Sequence, residues 1–145
     1  MAEYGYPSVQ TIPGGQSAIF NDIVPCAKGY VLHREGSGII TLRGIAAPCK
    51  SFVKYVVQFN ANIAVAEGET PGEISVAIAI NGEPLQTSLA AVTPAAVENF
   101  FNVTAVANID VPLGCCTSVT IENTTDPSAS ILMRNANLVV NLKRP

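Results

Sequence analysis

The densest group of ionisable side chains in the sequence consists of His33, Arg34 and Glu35, which lie next to one another. A histidine beside a glutamate provides the groups needed for general acid–base catalysis. However, His33 is the only histidine in the chain, and no serine lies in a Gly-x-Ser-x-Gly elbow that would present a nucleophile to it. The triplet is therefore interpreted as a charged loop before a glycine-containing turn, and we predict no catalytic residue and no enzyme activity.

The cysteines lack the spacing of a metal site, because no Cys-x-x-Cys pair is present and the histidine is distant from all of them. We therefore expect neither a metal nor a cofactor. Without a secretion signal, reduced and buried thiols are expected, with a disulfide between Cys26 and Cys49 as the open alternative. The adjacent Cys115 and Cys116 are sterically awkward as a disulfide pair.

Two other patterns have possible chemical roles. Several carboxylates could supply oxygen ligands to Ca²⁺, but nothing spaces them as a calcium loop, so they are interpreted as solvated side chains. These are Asp22, Asp110, Glu122 and Asp126. Asn102 and Asn123 each begin an Asn-x-Thr glycosylation sequence. Without a secretion signal, both are interpreted as polar strand or turn residues.

The composition favours a folded, self-associating protein. The chain has 145 residues, so we predict a single domain over residues 1–145, in which residues 1–15 could form an extended N-terminal arm. Hydrophobic residues make up 48% of the chain and charged residues only 13%, which leaves few charges for the surface of a monomer. A homo-oligomer is therefore expected.

Two classes of partner are not expected. The 8 basic and 11 acidic residues give a net charge of −3, and no stripe of Lys or Arg could contact successive phosphates, so we predict no nucleic acid. No segment approaches the ~20 uninterrupted apolar residues that cross a bilayer, so we predict no membrane. The first residues lack the basic and then apolar pattern of a secretion signal, which predicts synthesis without export.

Alternation of apolar and polar residues predicts long strands with one buried face. The clearest segments are 53–65, 74–80 and 101–111, and the second ends at Asn81-Gly82, the dipeptide typical of a type I′ hairpin. A single helical turn is the most that residues 94–99 would form. Further strands are predicted over 8–12, 17–22, 30–33, 39–43, 84–92, 116–123 and 138–142.

Many short strands without helices predict an all-β, two-sheet antiparallel sandwich with about nine to ten strands. An immunoglobulin sandwich would have a core tryptophan between two distant cysteines, and this chain has no tryptophan. The strand number and the missing tryptophan favour a jelly roll.

Motifs in the C-terminal half resemble the jelly roll of C1q and tumour necrosis factor (TNF). They are FFNVTAV at 100–106, IDVPLG at 109–114 and SVTI at 118–121, and they are similar to the bacterial versions at the tips of collagen-like spore-surface proteins. Other motifs resemble small uncharacterised phage and prophage proteins of gut Firmicutes. These are VLHREGSG at 31–38, INGEPL at 80–85 and VTPAAVE at 92–98.

The resemblance implies a non-enzymatic structural protein, a homotrimer that contacts other virion or surface proteins. It implies a virion component made in the host cytoplasm, such as a capsid decoration, head-fibre or tip domain, with a bacterial cell or spore surface as the alternative location. A carbohydrate- or receptor-binding surface module, with a glycan as partner, is the alternative function.

No Gly-X-Y stalk precedes the domain, so a trimer must hold through the jelly roll alone. Phe59 and Phe101 share the inward parity of their strands and are expected in the core. Val56 and Phe100 have the opposite parity, and together with Tyr55 they form our hypothesis for the oligomer interface.

Overall fold

In this computed structural model the described part of the chain comprises residues 2–24, 30–34, 36–44 and 52–143, with only the backbone described for residues 22–24. It forms two six-stranded sheets that pack face to face, and every strand pair is antiparallel. The predicted two-sheet jelly-roll sandwich is confirmed.

In chain order the strands are β1 (Ala2–Tyr6), β2 (Gln10–Ile12), β3 (Asp22–Val24), β4 (Val31–His33), β5 (Ile40–Arg43), β6 (Phe52–Val65), β7 (Ile74–Ile80), β8 (Glu83–Pro84), β9 (Ala90–Val92), β10 (Phe101–Pro112), β11 (Cys116–Asn123) and β12 (Ile131–Lys143). Sheet A has the order β10-β6-β12-β1-β3, and β2 also pairs with β12. Sheet B has the order β4-β5-β11-β7-β8, and β9 also pairs with β7.

The core lies between the sheets because the three longest strands of sheet A are paired with their apolar parities in register. Val57 of β6 lies opposite Ala107 of β10 and Val140 of β12, and all three side chains are buried. Sheet B faces this row with fully buried side chains such as Ile78 and Ile121. Burial of each large aliphatic side chain stabilises the fold by about 1.5–3 kcal/mol.

The hairpin after β7 turns at Asn81 and Gly82, whose φ angles of 52° and 84° match the predicted type I′ turn. The return strand is not continuous. It divides into β8 and β9 around a 3-10 turn at Gln86–Ser88, because the Ser88 hydroxyl accepts the Ile78 N–H at 3.0 Å in place of a main-chain carbonyl. With this division the described residues form twelve strands, more than the predicted nine to ten.

Helical structure over residues 94–99, which the sequence allowed as one turn, does not form. Within the described ranges no helix has the length and apolar character to cross a membrane.

The structure corrects the prediction of an extended N-terminal arm over residues 1–15. Residues 2–12 do not extend away from the domain, because β1 pairs with β12 on one side and β3 on the other, and β2 pairs with β12.

The predicted strand over 17–22 is also absent. Ala18 and Phe20 are fully buried in an irregular segment, and the Gln10 side-chain amide holds this segment through both backbone groups of Ile19. Local alternation did not anticipate these long-range contacts.

Asn123 is a fully buried polar residue at the end of β11. Its Nδ2 donates to the carbonyls of Ile12 at 2.9 Å and Ala129 at 2.8 Å, and its Oδ1 accepts from the Thr125 hydroxyl and N–H. The side chain thus ties β2 and the β11–β12 connection to the end of β11. Its amide nitrogen is not accessible to a glycosyl donor, in agreement with the interpretation of its glycosylation sequence as structural.

We predict that Asn123→Asp destabilises the protein by about 3 kcal/mol or more, because two buried carbonyls lose their donor and a charge is buried. Urea denaturation followed by circular dichroism measures this change. Asn99→Asp, at an exposed position, is the control and should change stability by less than about 0.5 kcal/mol. Equal stability of the two variants would contradict the assigned role of Asn123.

Candidate assembly interface

The outer face of sheet A carries the side chains of β6, β10 and β12 that point away from the core. The in-register pairing places them in rows, for example Thr104, Asn60 and Asn137 side by side. Each is exposed or half-buried. This set, here called the asparagine face, consists of Val56, Gln58, Asn60, Asn62, Asn102, Thr104, Val106, Asn108, Asn137, Val139 and Asn141.

Charged side chains lie around the asparagine face and not within it. Arg134 borders one end of it, and Lys54 and Asp110 form an ion pair of 3.5 Å at the other end. Glu3 lies at its β1 margin, beside Val139. The exposed ion pair contributes little stability, and a second surface that covered only the middle of the face would bury no charge.

Three amides of the asparagine face, those of Asn60, Asn62 and Asn102, are linked by hydrogen bonds. Asn102 Nδ2 donates to Asn60 Oδ1 at 2.8 Å and lies 3.2 Å from Asn62 Oδ1, and Asn62 Nδ2 donates to Asn135 Oδ1 at 3.2 Å. A polar group that is already hydrogen-bonded costs less to remove from water than an unpaired one. This network lowers the cost of covering the face.

Three valines lie near the middle of the same face. Val106 lies opposite Gln58, and Val56 is its diagonal neighbour across the β10–β6 ladder. Val139 lies on the other side of Gln58, in the same row. Val106 is 52% exposed, which is high for an aliphatic side chain in a regular strand. The asparagine face therefore combines exposed apolar area with a group of hydrogen-bonded amides, whereas Asn137 Oδ1 is buried and has no hydrogen-bond partner among the described residues.

Phe100 lies just before β10 and is half-buried. The guanidinium of Arg134 is 4.0 Å from the centre of its ring, a cation–π contact at the end of the asparagine face. Val56 lies within this face, and Phe100 lies at its end. Their proposed role in an oligomer stays a prediction.

The structure corrects the hypothesis that Tyr55 belongs to the oligomer interface. Its side chain is fully buried, and its hydroxyl donates to the Arg43 carbonyl at 2.6 Å with the Tyr30 carbonyl 3.2 Å away. Burial raises the pKa of this hydroxyl. Tyr55 joins the two sheets within one chain, so it is not available to a neighbouring copy.

The prediction that Phe101 lies in the core is also wrong, because its side chain is 43% exposed. It has the same parity as the buried Val103, but it is the first residue of β10. Parity assigns a side chain to one face of a strand, whereas the extent of the opposing sheet decides whether that side chain is covered. Phe59, the other predicted core aromatic, is buried.

The groups considered for catalysis and metal binding do not form a site among the described residues. The Nε2–H of His33 donates to the Ser37 carbonyl at 2.8 Å, and the ring packs on Tyr4 with centroids 4.7 Å apart. Glu35 lies outside the described residues. Within the described ranges, no group of three or more His, Cys, Asp or Glu side chains is placed to hold a metal ion.

The cysteines are described in part. Cys26 and Cys49, the possible disulfide pair, lie outside the described residues. Cys115 and Cys116 are free thiols, but both are exposed, so the expectation of buried thiols is wrong for this pair. Their position in and directly after the turn between β10 and β11 explains the exposure.

No protein-family model matches the sequence, and no curated protein matches it. Two solved structures are similar over nearly the whole chain. The globular domain of zebrafish complement 1qA protein has 14% identity and a TM-score of 0.61, over 99% of this chain and 97% of that chain. Eiger TNF from S. frugiperda has 12% identity and a TM-score of 0.64, over 99% and 92%. These likenesses show a C1q/TNF-like fold, and neither bears on a phage or spore origin.

We predict that Tyr55→Phe lowers stability at neutral pH by about 1–3 kcal/mol, because the carbonyls of Arg43 and Tyr30 lose their donor. The raised pKa means that Tyr55 contributes stability below the unfolded pKa of about 10 and loses it as pH rises through the folded value. The variant should therefore lose less stability above pH ~10 than the unmodified protein.

Urea unfolding between pH ~7 and pH ~11 measures both effects of the Tyr55→Phe change. Tyr6→Phe, at a half-buried tyrosine, is the control and should change stability by less than about 0.5 kcal/mol. If the Tyr55→Phe variant and the unmodified protein lost the same amount of stability between pH ~7 and pH ~11, this would contradict the assigned role of the hydroxyl.

Proposed function

We propose that this protein is a non-enzymatic assembly module that closes into a homotrimer through the asparagine face. The observation that carries the proposal is an uncharged sheet face on which Asn60, Asn62 and Asn102 are linked by hydrogen bonds and Val106 is 52% exposed. Large exposed faces of this kind mark interaction surfaces in soluble proteins. The low fraction of charged residues, 13%, agrees with a chain whose surface is partly covered in its working state.

A second copy is the proposed occupant because the same chain also offers a complementary apolar edge. β10 is the edge strand of sheet A, and within the described ranges no strand pairs with its other side. Exposed apolar residues occur in and beside this edge, namely Phe101 (43%), Leu89 (40%) and Val97 (37%). Natural proteins cover or break long strand edges because such edges pair with other chains.

The proposed contact joins the β9–β10 edge of one copy to the asparagine face of the next. Two different surfaces in contact make a head-to-tail interface, which gives a ring when the rotation closes. C1q/TNF-like folds usually trimerise, which supports a ring of three copies. No charge within the asparagine face would need to be desolvated by this contact.

The setting that we propose for the trimer is the one that the sequence resemblance implies, a phage virion with the module as a decoration, head-fibre or tip domain. A compact trimer without catalytic groups suits such a position. Mass spectrometry of gradient-purified particles from an induced lysogen that carries the gene would test it. The chain should co-purify with the capsid proteins, and its absence from intact particles would reject the virion setting while leaving the trimer untouched.

We predict that Val106→Asp converts the trimer into monomers, because three carboxylates would be buried at the interfaces without partners. Light scattering after size exclusion measures the mass, and circular dichroism checks the fold. Val9→Asp is a matched control, since Val9 is also 52% exposed but lies outside the asparagine face. A monomeric unmodified protein, or a trimeric Val106→Asp variant, would overturn the proposal.

We further predict that Phe100→Asp and Phe101→Asp each abolish the trimer, the first at the end of the asparagine face and the second on the strand edge. Mixing distinguishes the two sides of the contact. A head-to-tail interface lets Phe101→Asp offer an intact face to the intact edge of Val139→Asp, a face variant on β12 that leaves β10 unchanged, so this mixture should form a heterodimer. If each variant stays monomeric in the mixture, as a two-fold symmetric interface would require, the head-to-tail arrangement is wrong.

A further inference from the structure

We propose that a groove on sheet B binds an extended acidic segment of a partner protein by adding it to the free edge of β4. The groove has a volume of about 470 Å³ and lies on the β4–β5 hairpin. It is lined by Leu32, His33, Arg34, Ser37, Ile39 and Thr41. This volume lies within the range of known ligand sites.

The backbone of β4 supplies the first element of recognition. β4 pairs only with β5 among the described strands, so its second side is an open edge. The Arg43 N–H donates to the Tyr30 carbonyl at 2.9 Å, which makes these two a hydrogen-bonded pair. Bonded and non-bonded pairs alternate in an antiparallel ladder, so the backbone groups of Val31 and His33 point to the open edge. An extended peptide can pair with them.

The side chains beside this edge supply the second element. Leu32 and Ile39 are 47% and 53% exposed, which is high for large aliphatic residues in and next to regular strands. Arg34 directly follows β4, and both Leu32 and Arg34 line the groove. A peptide strand with an aliphatic residue and a carboxylate two positions apart would place one on Leu32 and the other on Arg34.

The lining favours a peptide over a sugar. Sugar sites commonly offer an aromatic ring as a platform, and the one ring in this lining, that of His33, packs on Tyr4 and bonds to the Ser37 carbonyl. An open strand edge, by contrast, is the main requirement for strand addition. We therefore assign the groove to an acidic peptide segment.

The groove lies on sheet B, whereas the asparagine face lies on the outer side of sheet A. Peptide binding therefore does not depend on the proposed trimer, and a monomeric Val106→Asp variant should retain it. The proposed trimer and the proposed peptide site can therefore be refuted independently.

The test is a titration of the ¹⁵N-labelled full chain with the peptide acetyl-Thr-Glu-Thr-Val-Thr-amide, followed by amide chemical shifts. Antiparallel addition would set its Glu opposite Arg34 and its Val opposite Leu32. Saturable shifts are expected at the amides of Val31, His33 and Ile39. A peptide with Gln in place of Glu, and one with Glu and Val adjacent, should each bind at least about tenfold more weakly.

Variants of the protein complete the design. Arg34→Gln should weaken binding of the Glu peptide at least about tenfold and leave binding of the Gln peptide unchanged. Lys143→Gln, on the exposed end of sheet A, is the charge control. Leu32→Asp should abolish binding, whereas Val9→Asp, at another exposed aliphatic residue, should not.

Three outcomes would overturn the peptide site. The first is the absence of saturable shifts at the β4–β5 hairpin. The second is equal binding of the Glu and Gln peptides, which would remove the role of Arg34. The third is saturable binding of glucuronate in the groove without binding of the peptide, which would assign the groove to an acidic sugar.

Discussion

The register of β6 against its two neighbours is the constraint on which the rest of the structure depends. Because side chains alternate with a period of two, pairing Val57 with Ala107 and Val140 sends an entire apolar row toward sheet B. The same pairing forces the alternate rows, such as the one with Asn60 and Thr104, onto the outer face. A slip of one residue would exchange the two sets, burying unpaired amides and exposing the core. The core and the asparagine face are therefore two consequences of one register.

Buried polar side chains hold the irregular segments to this frame. Asn123 satisfies main-chain groups of β2 and of the β11–β12 connection, and the Gln10 amide substitutes for a strand partner at Ile19. Tyr55 bonds across the sandwich to the end of β5. Each of these side chains is well placed only when the strands around it have already paired, so the loops depend on the sheets and not the reverse.

The two outer surfaces of the sandwich differ in a way that suits different partners. Sheet A presents long strands whose uncharged amides and valines form a broad, flat face, which another folded surface can cover. Sheet B presents a short hairpin with exposed aliphatic residues, one lining arginine and an open strand edge, which fits an extended segment. Because these surfaces lie on opposite layers, a self-assembling module could bind a second protein without losing its own contacts.

The sequence by itself determined the fold class and the long strands, because alternation over residues 53–65 and 101–111 is a local property of an extended chain with one buried face. It also determined the Asn81-Gly82 turn, since a type I′ turn requires two positive φ angles and Asn and Gly adopt them at low cost. Only the tertiary structure decided that Tyr55 is internal, that Phe101 is exposed and that residues 2–12 join sheet A. The reason is physical: periodicity assigns a side chain to one side of a strand, whereas neighbouring strands and the reach of the opposing sheet depend on contacts distant in sequence.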